Sequence, residues 1–182
     1  MSQNTELEYS QETTLDTGKP ILLIVEDNEE IQKYIVESFT DSFEVITANN
    51  GEEGTQQALS RIPDIVVSDI MMPVMDGITL CKQLKDDVRT SHIPIILLTA
   101  KDSLQDKEEG YEVGADSYLT KPFSASLLRS RINNLLDSRK KLVAQFQAQS
   151  TPGNQIDLSE KRIVIAEALS KLDNEFIEKI TF

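Results

Sequence analysis

Between Ile21 and Lys121 the chain repeats one unit: a short run that is apolar all round, a polar or acidic break, then a stretch whose apolar residues recur at helical spacing. The first run, Ile21-Leu22-Leu23-Ile24-Val25, follows Pro20 abruptly and ends in Glu26-Asp27-Asn28. Runs this short and this uniformly apolar predict strands buried on both faces of a parallel sheet. Further strands are predicted at Phe43 to Ala48, from Ile65 through Asp69, over Ile95 to Thr99 after Pro94, and over Ser117 to Lys121 before Pro122. Between them, Ile31, Ile35 and Phe39 mark a helix over Glu29 to Phe39, which Asp27 or Asn28 can cap. A second helix runs from Gly51 to Arg61 and meets Pro63, and a third starts at Asp76-Gly77 and carries Ile78, Leu80, Cys81 and Leu84. A polar helix from about Asp102 to Val113 and a last one capped by Ser124, through Leu127, Leu128, Ile132, Leu135 and Leu136, complete the alternation.

Five strands alternating with five helices imply a doubly wound α/β fold, because right-handed crossovers lay the helices on both faces of a parallel sheet. The side chains at the strand ends then share the carboxyl edge, where open sheets of this kind build their sites. The pattern divides the chain into a polar linker over 1–19, a domain over 20–140 and a helical extension over 141–182. Leu142, Val143 and Phe146 continue the apolar rhythm of the last helix until Thr151-Pro152-Gly153, which makes that helix a candidate coupling rod. Beyond the break, Leu172 and Ile177 can staple a short helix around an Asp173 cap.

Composition narrows the partners. The 182 residues carry 31 acidic against 18 basic side chains, a net charge of -13 that argues against a nucleic-acid surface. No apolar run reaches the roughly 20 residues of a membrane span, and the start of the chain lacks the basic and apolar regions of a secretion signal. With a single cysteine, Cys81, no internal disulfide can form, and the expected location is cytoplasmic. His92 is the one histidine, so this chain holds no histidine pair for a metal or a phosphorelay.

What charge does change is the reading of the strand ends. Glu26 and Asp27, Asp69, Thr99 and Lys121 should meet at one edge. Three carboxylates together resist ionisation unless a cation joins them, and Mg²⁺ suits an all-oxygen site that keeps several waters. Asp69 can then act as an oxygen nucleophile toward phosphorus, with Lys121 neutralising phosphoryl charge and Thr99 donating a hydrogen bond.

At these residues the chain resembles the receiver domain of two-component response regulators. The resemblance spans roughly Lys19 to Asp137 and rests on Val25-Glu26-Asp27-Asn28, on Asp69-Ile70-Met71-Met72-Pro73-Val74-Met75-Asp76-Gly77, on Leu98-Thr99-Ala100, on Gly114-Ala115-Asp116 and on Lys121-Pro122-Phe123. It implies a flavodoxin-like strand order 2-1-3-4-5, with Asp69 as the phosphoacceptor and a histidine kinase as phosphodonor. It also implies Mg²⁺ bound by Asp27, Asp69 and the Met71 backbone carbonyl, with Glu26 assisting through water. Thr99 and Tyr118 would form the switch pair, and the Lys121-Pro122 peptide would be cis. Glu26 departs from the aspartate common at its position, adding a methylene of reach and keeping the charge.

The side chains of Met71, Met72 and Met75 are expected to pack or fill their loop, Cys81 to be an inert core thiol and His92 to be a surface residue. The long helix and the segment Leu169 to Ile180 resemble, more distantly, the link that follows receivers in hybrid sensor kinase and regulator chains, where an AraC-type helix-turn-helix domain comes next. On that resemblance the chain is an excised piece, with no membrane or nucleic-acid contact of its own, and a homodimer through the fourth helix, fifth strand and fifth helix is possible. The expected activity is a switch that gains and loses its own phosphoryl group, not an enzyme in the ordinary sense. Two rivals stand beside this reading. An aspartate-nucleophile phosphatase would carry a second acid two residues after the nucleophile, where this chain has Met71. A pure interaction domain would have no use for the intact Asp27, Asp69, Thr99 and Lys121.

Overall fold

The computed structural model describes residues 18–100 and 112–149. The expected helix beginning near Asp102, most of the linker, and the Leu172 and Ile177 staple lie outside the described residues. Five strands, β1 (Ile21–Val25), β2 (Glu44–Ala48), β3 (Ile65–Asp69), β4 (Ile95–Thr99) and β5 (Ser117–Thr120), form one sheet in the order β2-β1-β3-β4-β5. Every pairing is parallel. The predicted doubly wound arrangement and strand order are both present. All residues of β3 and β4 are buried, which is why these two runs lack any polar alternation.

Successive strand residues point to opposite faces and so build two cores. On one face Leu23, Val25, Val66 and Leu97 pack with Ala58 of α2 (Gly51–Arg61) and with Leu80, Cys81 and Leu84 of α3 (Gly77–Asp86). On the other, Leu22, Ile24, Val67, Ile96 and Leu98 pack with Ile35 and Phe39 of α1 (Glu29–Phe39) and with Leu128 and Ile132 of α4 (Ala125–Gln149). Each fully buried Val, Leu, Ile or Phe side chain contributes about 1.5 to 3 kcal/mol, so both cores hold the strand ends firmly.

The caps settle the helix starts. Asn28, not Asp27, caps α1, its side-chain oxygen accepting from the Glu30 and Ile31 amides at 3.0 and 3.1 Å. This leaves Asp27 free of capping duty. Asn50 and Asp76 cap α2 and α3 in the same way.

α4 is the helix expected after Ser124, whose hydroxyl accepts from the Leu127 amide at 3.2 Å. Its first turns are pinned to α1: the Ala125 amide donates to the Tyr34 hydroxyl at 2.9 Å, and the Arg129 guanidinium lies 4.6 Å from the Phe39 ring centre. With 25 residues the helix is about 38 Å long, whereas a five-residue strand spans about 17 Å. It therefore runs past the amino edge of the sheet, where Arg139 meets Asp116 at 3.7 Å.

Candidate functional site

Strand order brings the chemistry together at the point where the winding reverses. β1 and β3 are neighbours, with Val25 paired to Ser68, so the residues that follow, Glu26 and Asp69, emerge side by side. On the next strand Leu98 pairs with Asp69, and Thr99 pairs with Thr120 of β5, which brings Lys121 to the same edge. Carboxylate oxygens of Glu26, Asp27 and Asp69 all lie within 4.8 Å of one another. The Lys121 ammonium sits 2.9 Å from Glu26 Oε2 and 3.1 Å from Asp69 Oδ1. Glu26 and Asp69 are buried and Asp27 is exposed, so the cluster has closed walls and one open side.

The charges do not balance. Burial pushes the Glu26 carboxyl above its ordinary value, Lys121 opposes that by hydrogen bonding, and the Asp69 charge adds to it. Asp69 is raised for the same first reason, with Lys121 opposing and Asp27 reinforcing. Burial works against the Lys121 ammonium, yet its bond to Glu26 and the Asp69 charge outweigh burial and raise its pKa. Among the described residues, one ammonium thus faces three acids. An all-oxygen set with surplus negative charge and an open side fits a hard divalent cation.

The loop after Asp69 is held by close backbone approach. The Gly77 amide donates to the Ile70 carbonyl at 2.8 Å, and a Cβ at Gly77 would come within 2.1 Å of the Asp69 carbonyl oxygen. Glycine is therefore the one residue that fits there. At the loop tip Val74 has φ 70°, a left-handed conformation that a β-branched residue enters at a cost of about 1 to 3 kcal/mol.

Of the site residues expected from sequence, Glu26, Asp27, Asp69 and Lys121 converge, and Thr99 is buried at the adjoining strand end. Tyr118 is half-buried against the core that contains Leu23, and the Lys121–Pro122 peptide is cis. The methionines divide: Met72 is buried and Met75 packs against the same core, but Met71 is 72% exposed and lies outside that core. The expectation that it fills the loop is corrected for Met71, whose side chain lies largely in solvent. His92 is half-buried where a surface residue was expected, and the buried Cys81 thiol is pushed up to about 12, consistent with an inert core group.

This geometry has known counterparts. The family model for the response regulator receiver domain matches residues 22–133. The chain belongs to the receiver domain family. A receiver domain is the phosphoacceptor module of response regulators, and this one is 41% identical over 128 residues to histidine kinase P4 of Formosa agariphila, covering 70% of the chain and 9% of that protein. It is 42% identical over 116 residues to the alkaline phosphatase synthesis transcriptional regulatory protein PhoP of Bacillus subtilis, covering 63% of the chain and 48% of the regulator. The chain thus spans less than half the length of either relative. Among solved structures, it is similar to the receiver domain of sensor histidine kinase PA1611 of Pseudomonas aeruginosa, with magnesium coordinated in its active-site cleft. That likeness has 27% identity and a TM-score of 0.61, and covers 65% of this chain and 98% of that one.

Two features of the receiver escaped sequence reading. Gln32 donates its side-chain amide to the acidic turn, and Lys85, Asp116 and Arg139 cluster at the opposite edge. A polar residue one turn after a cap, between the inward Ile31 and Ile35, was the only available signal for Gln32.

Proposed function

We propose that Asp69 accepts a phosphoryl group from a phosphohistidine donor on a histidine kinase. A carboxylate oxygen attacks phosphorus, the P–N bond breaks as the P–O bond forms, and the imidazole leaves, giving an acyl phosphate. The observation that carries this reading is the Lys121 ammonium bridging Glu26 and Asp69 at the mouth of the acid cluster, ready to pair with a phosphoryl oxygen. Thr99 donates its hydroxyl to another phosphoryl oxygen, and Tyr118 follows the movement of Thr99 as its switch partner. Glu26, Asp27, Asp69 and the Met71 carbonyl would hold Mg²⁺, which when bound supplies charge neutralisation during transfer. The Mg²⁺ assignment draws support from the PA1611 domain.

Beside Lys121, an open apolar depression of about 360 Å³ lined by Ile31, Tyr34, Ala100, Pro122 and Phe123 suits packing by the donor. Added phosphate brings about -1.5 to -2 charges to an edge that already gathers three acids, enough to reorder the adjacent loops. The output is control of transcription through a following domain, of AraC type in a hybrid kinase and regulator, reached through α4 or through receiver dimerisation. None of the helices of the described residues is long and apolar enough to cross a membrane, and we assign the switch to the cytoplasm, where its donor would act.

Intact mass after incubation with Mg²⁺ and acetyl phosphate tests the reading. One phosphoryl adduct is expected, lost in Asp69→Asn. No adduct, or one that survives the substitution, would refute the acceptor assignment, and rapid turnover of small phosphomonoesters would favour the phosphatase.

A further inference from the structure

The turn carrying Glu26 and Asp27, the end of β2 and the loop after Asp69 belong to three different βα units, and hydrogen bonds join them in series. The Gln32 side-chain amide donates to the Glu26 carbonyl at 3.0 Å, to the Ala48 carbonyl at 3.3 Å and to Asn49 Oδ1 at 3.3 Å. It therefore ties the turn carrying Glu26 and Asp27 to the end of β2. The Glu26 amide reinforces the same junction by donating to the Ala48 carbonyl at 3.1 Å. Three residues after Ala48, the Gly51 amide donates to the Met75 carbonyl at 3.0 Å, and a Cβ at Gly51 would meet that oxygen at 2.7 Å. The β2 end is thus locked to the loop that follows Asp69.

The acids themselves repel, so nothing in their own electrostatics keeps Glu26 and Asp27 close to Asp69. A neutral donor whose two N–H groups are shared among three oxygens joins such a junction without adding charge. We infer that Gln32 is a positioning residue for the cation site: through its side-chain amide it holds the acidic turn at the distance from Asp69 at which one divalent ion can be shared. This rests on the cation reading above.

Mn²⁺ titration of the full chain, followed by electron paramagnetic resonance of the free ion, tests it. Outer partners of metal ligands commonly change affinity by at least about tenfold, and Gln32→Leu should weaken Mn²⁺ binding by that factor. Gln32→Glu separates positioning from simple charge. It adds a negative charge near the site, which alone would tighten cation binding, but it replaces the donor by an oxygen facing three acceptors. Weaker binding in both variants, with faster hydrogen exchange at the Glu26 amide in metal-free protein, supports the inference. Unchanged or tighter binding in Gln32→Glu overturns it. Asp27→Asn serves as the control: if it and the wild type bind Mn²⁺ equally, or neither binds, the cation reading falls and this inference with it. If Asp27→Asn loses binding and the Gln32 variants keep it, only the positioning role falls.

Discussion

The two edges of the sheet carry the same chemistry to opposite ends. At the amino edge Asp116 receives the Lys85 ammonium at 2.9 Å, the Ile95 amide at 2.8 Å and the Arg139 guanidinium at 3.7 Å. Lys85 spends its remaining donors on the Ile93 and Ser91 carbonyls at 3.0 and 3.4 Å. One acid is shared by two cations there. At the carboxyl edge the ratio among the described residues is inverted, with three acids to one Lys121. Partly buried charge that is fully satisfied is a fastening, whereas charge left short of partners is a place for a ligand.

That contrast can be broken from either side. The largest effect is expected for Lys121→Met, which removes the only cation among the described acid cluster's partners. The rate of adduct formation from acetyl phosphate should fall by about 10² to 10³, measured by timed intact mass, as for loss of one preorganised charge-stabilising donor. Asp116→Ala should leave that rate unchanged and lower stability instead, by about 3 kcal/mol in urea unfolding, because Lys85 and Arg139 lose their shared carboxylate. If it altered phosphorylation as strongly as Lys121→Met, the division of labour between the edges would be wrong. Gly77→Ala should cost about 2 kcal/mol, since the new methyl collides with the Asp69 carbonyl and the loop must shift.

A smaller effect tests the charge imbalance. Glu26 and Asp69 have folded pKa values above their ordinary ones, so in the window just above pH 4 the native state holds more protons than the unfolded chain. Stability in metal-free buffer should then fall as pH rises from about 4 through the raised values, the reverse of an ordinary salt-bridged acid. Asp69→Asn should flatten that fall, because a neutral amide escapes the burial cost that is the first cause of the raised Asp69 pKa. A melting temperature that rises with pH over this range would contradict the imbalance. The smallest signal is at Cys81: with its thiol pushed up to about 12 in the core, native protein should resist iodoacetamide at pH 8 and react only when unfolded.

Much of the fold was legible because buried parallel strands need unbroken apolar runs, and Ile65 to Val67 and Ile95 to Leu98 are such runs. Polar residues immediately after them could be read as edge residues by the same logic, which located Glu26, Asp69 and Thr99. The Lys121 bridge to Glu26 was legible only in outline, since it closes over 95 positions of sequence. Met71 and Met72 are indistinguishable by composition, yet one is 72% exposed and the other 9%. A loop with a left-handed residue at its tip, and no periodicity, offers no rule for which side chain turns inward. Asp116 and Arg139 were illegible as a pair because a long helix must first be seen to overrun the sheet.

What the order of residues determined alone is local: which runs are strands, which acids follow them, and that Asp76 and Gly77 begin a helix while Asp69 ends a strand. These follow from short-range propensity and from the cost of burying polar groups, and need no knowledge of neighbours. Only the tertiary structure decided that Asn28 takes the cap and leaves Asp27 to the cluster, that Lys121 stands between Glu26 and Asp69, and that Gln32 joins the acidic turn to β2. Those are choices between partners of similar chemistry, and they are settled by positions that exist only once both cores have closed.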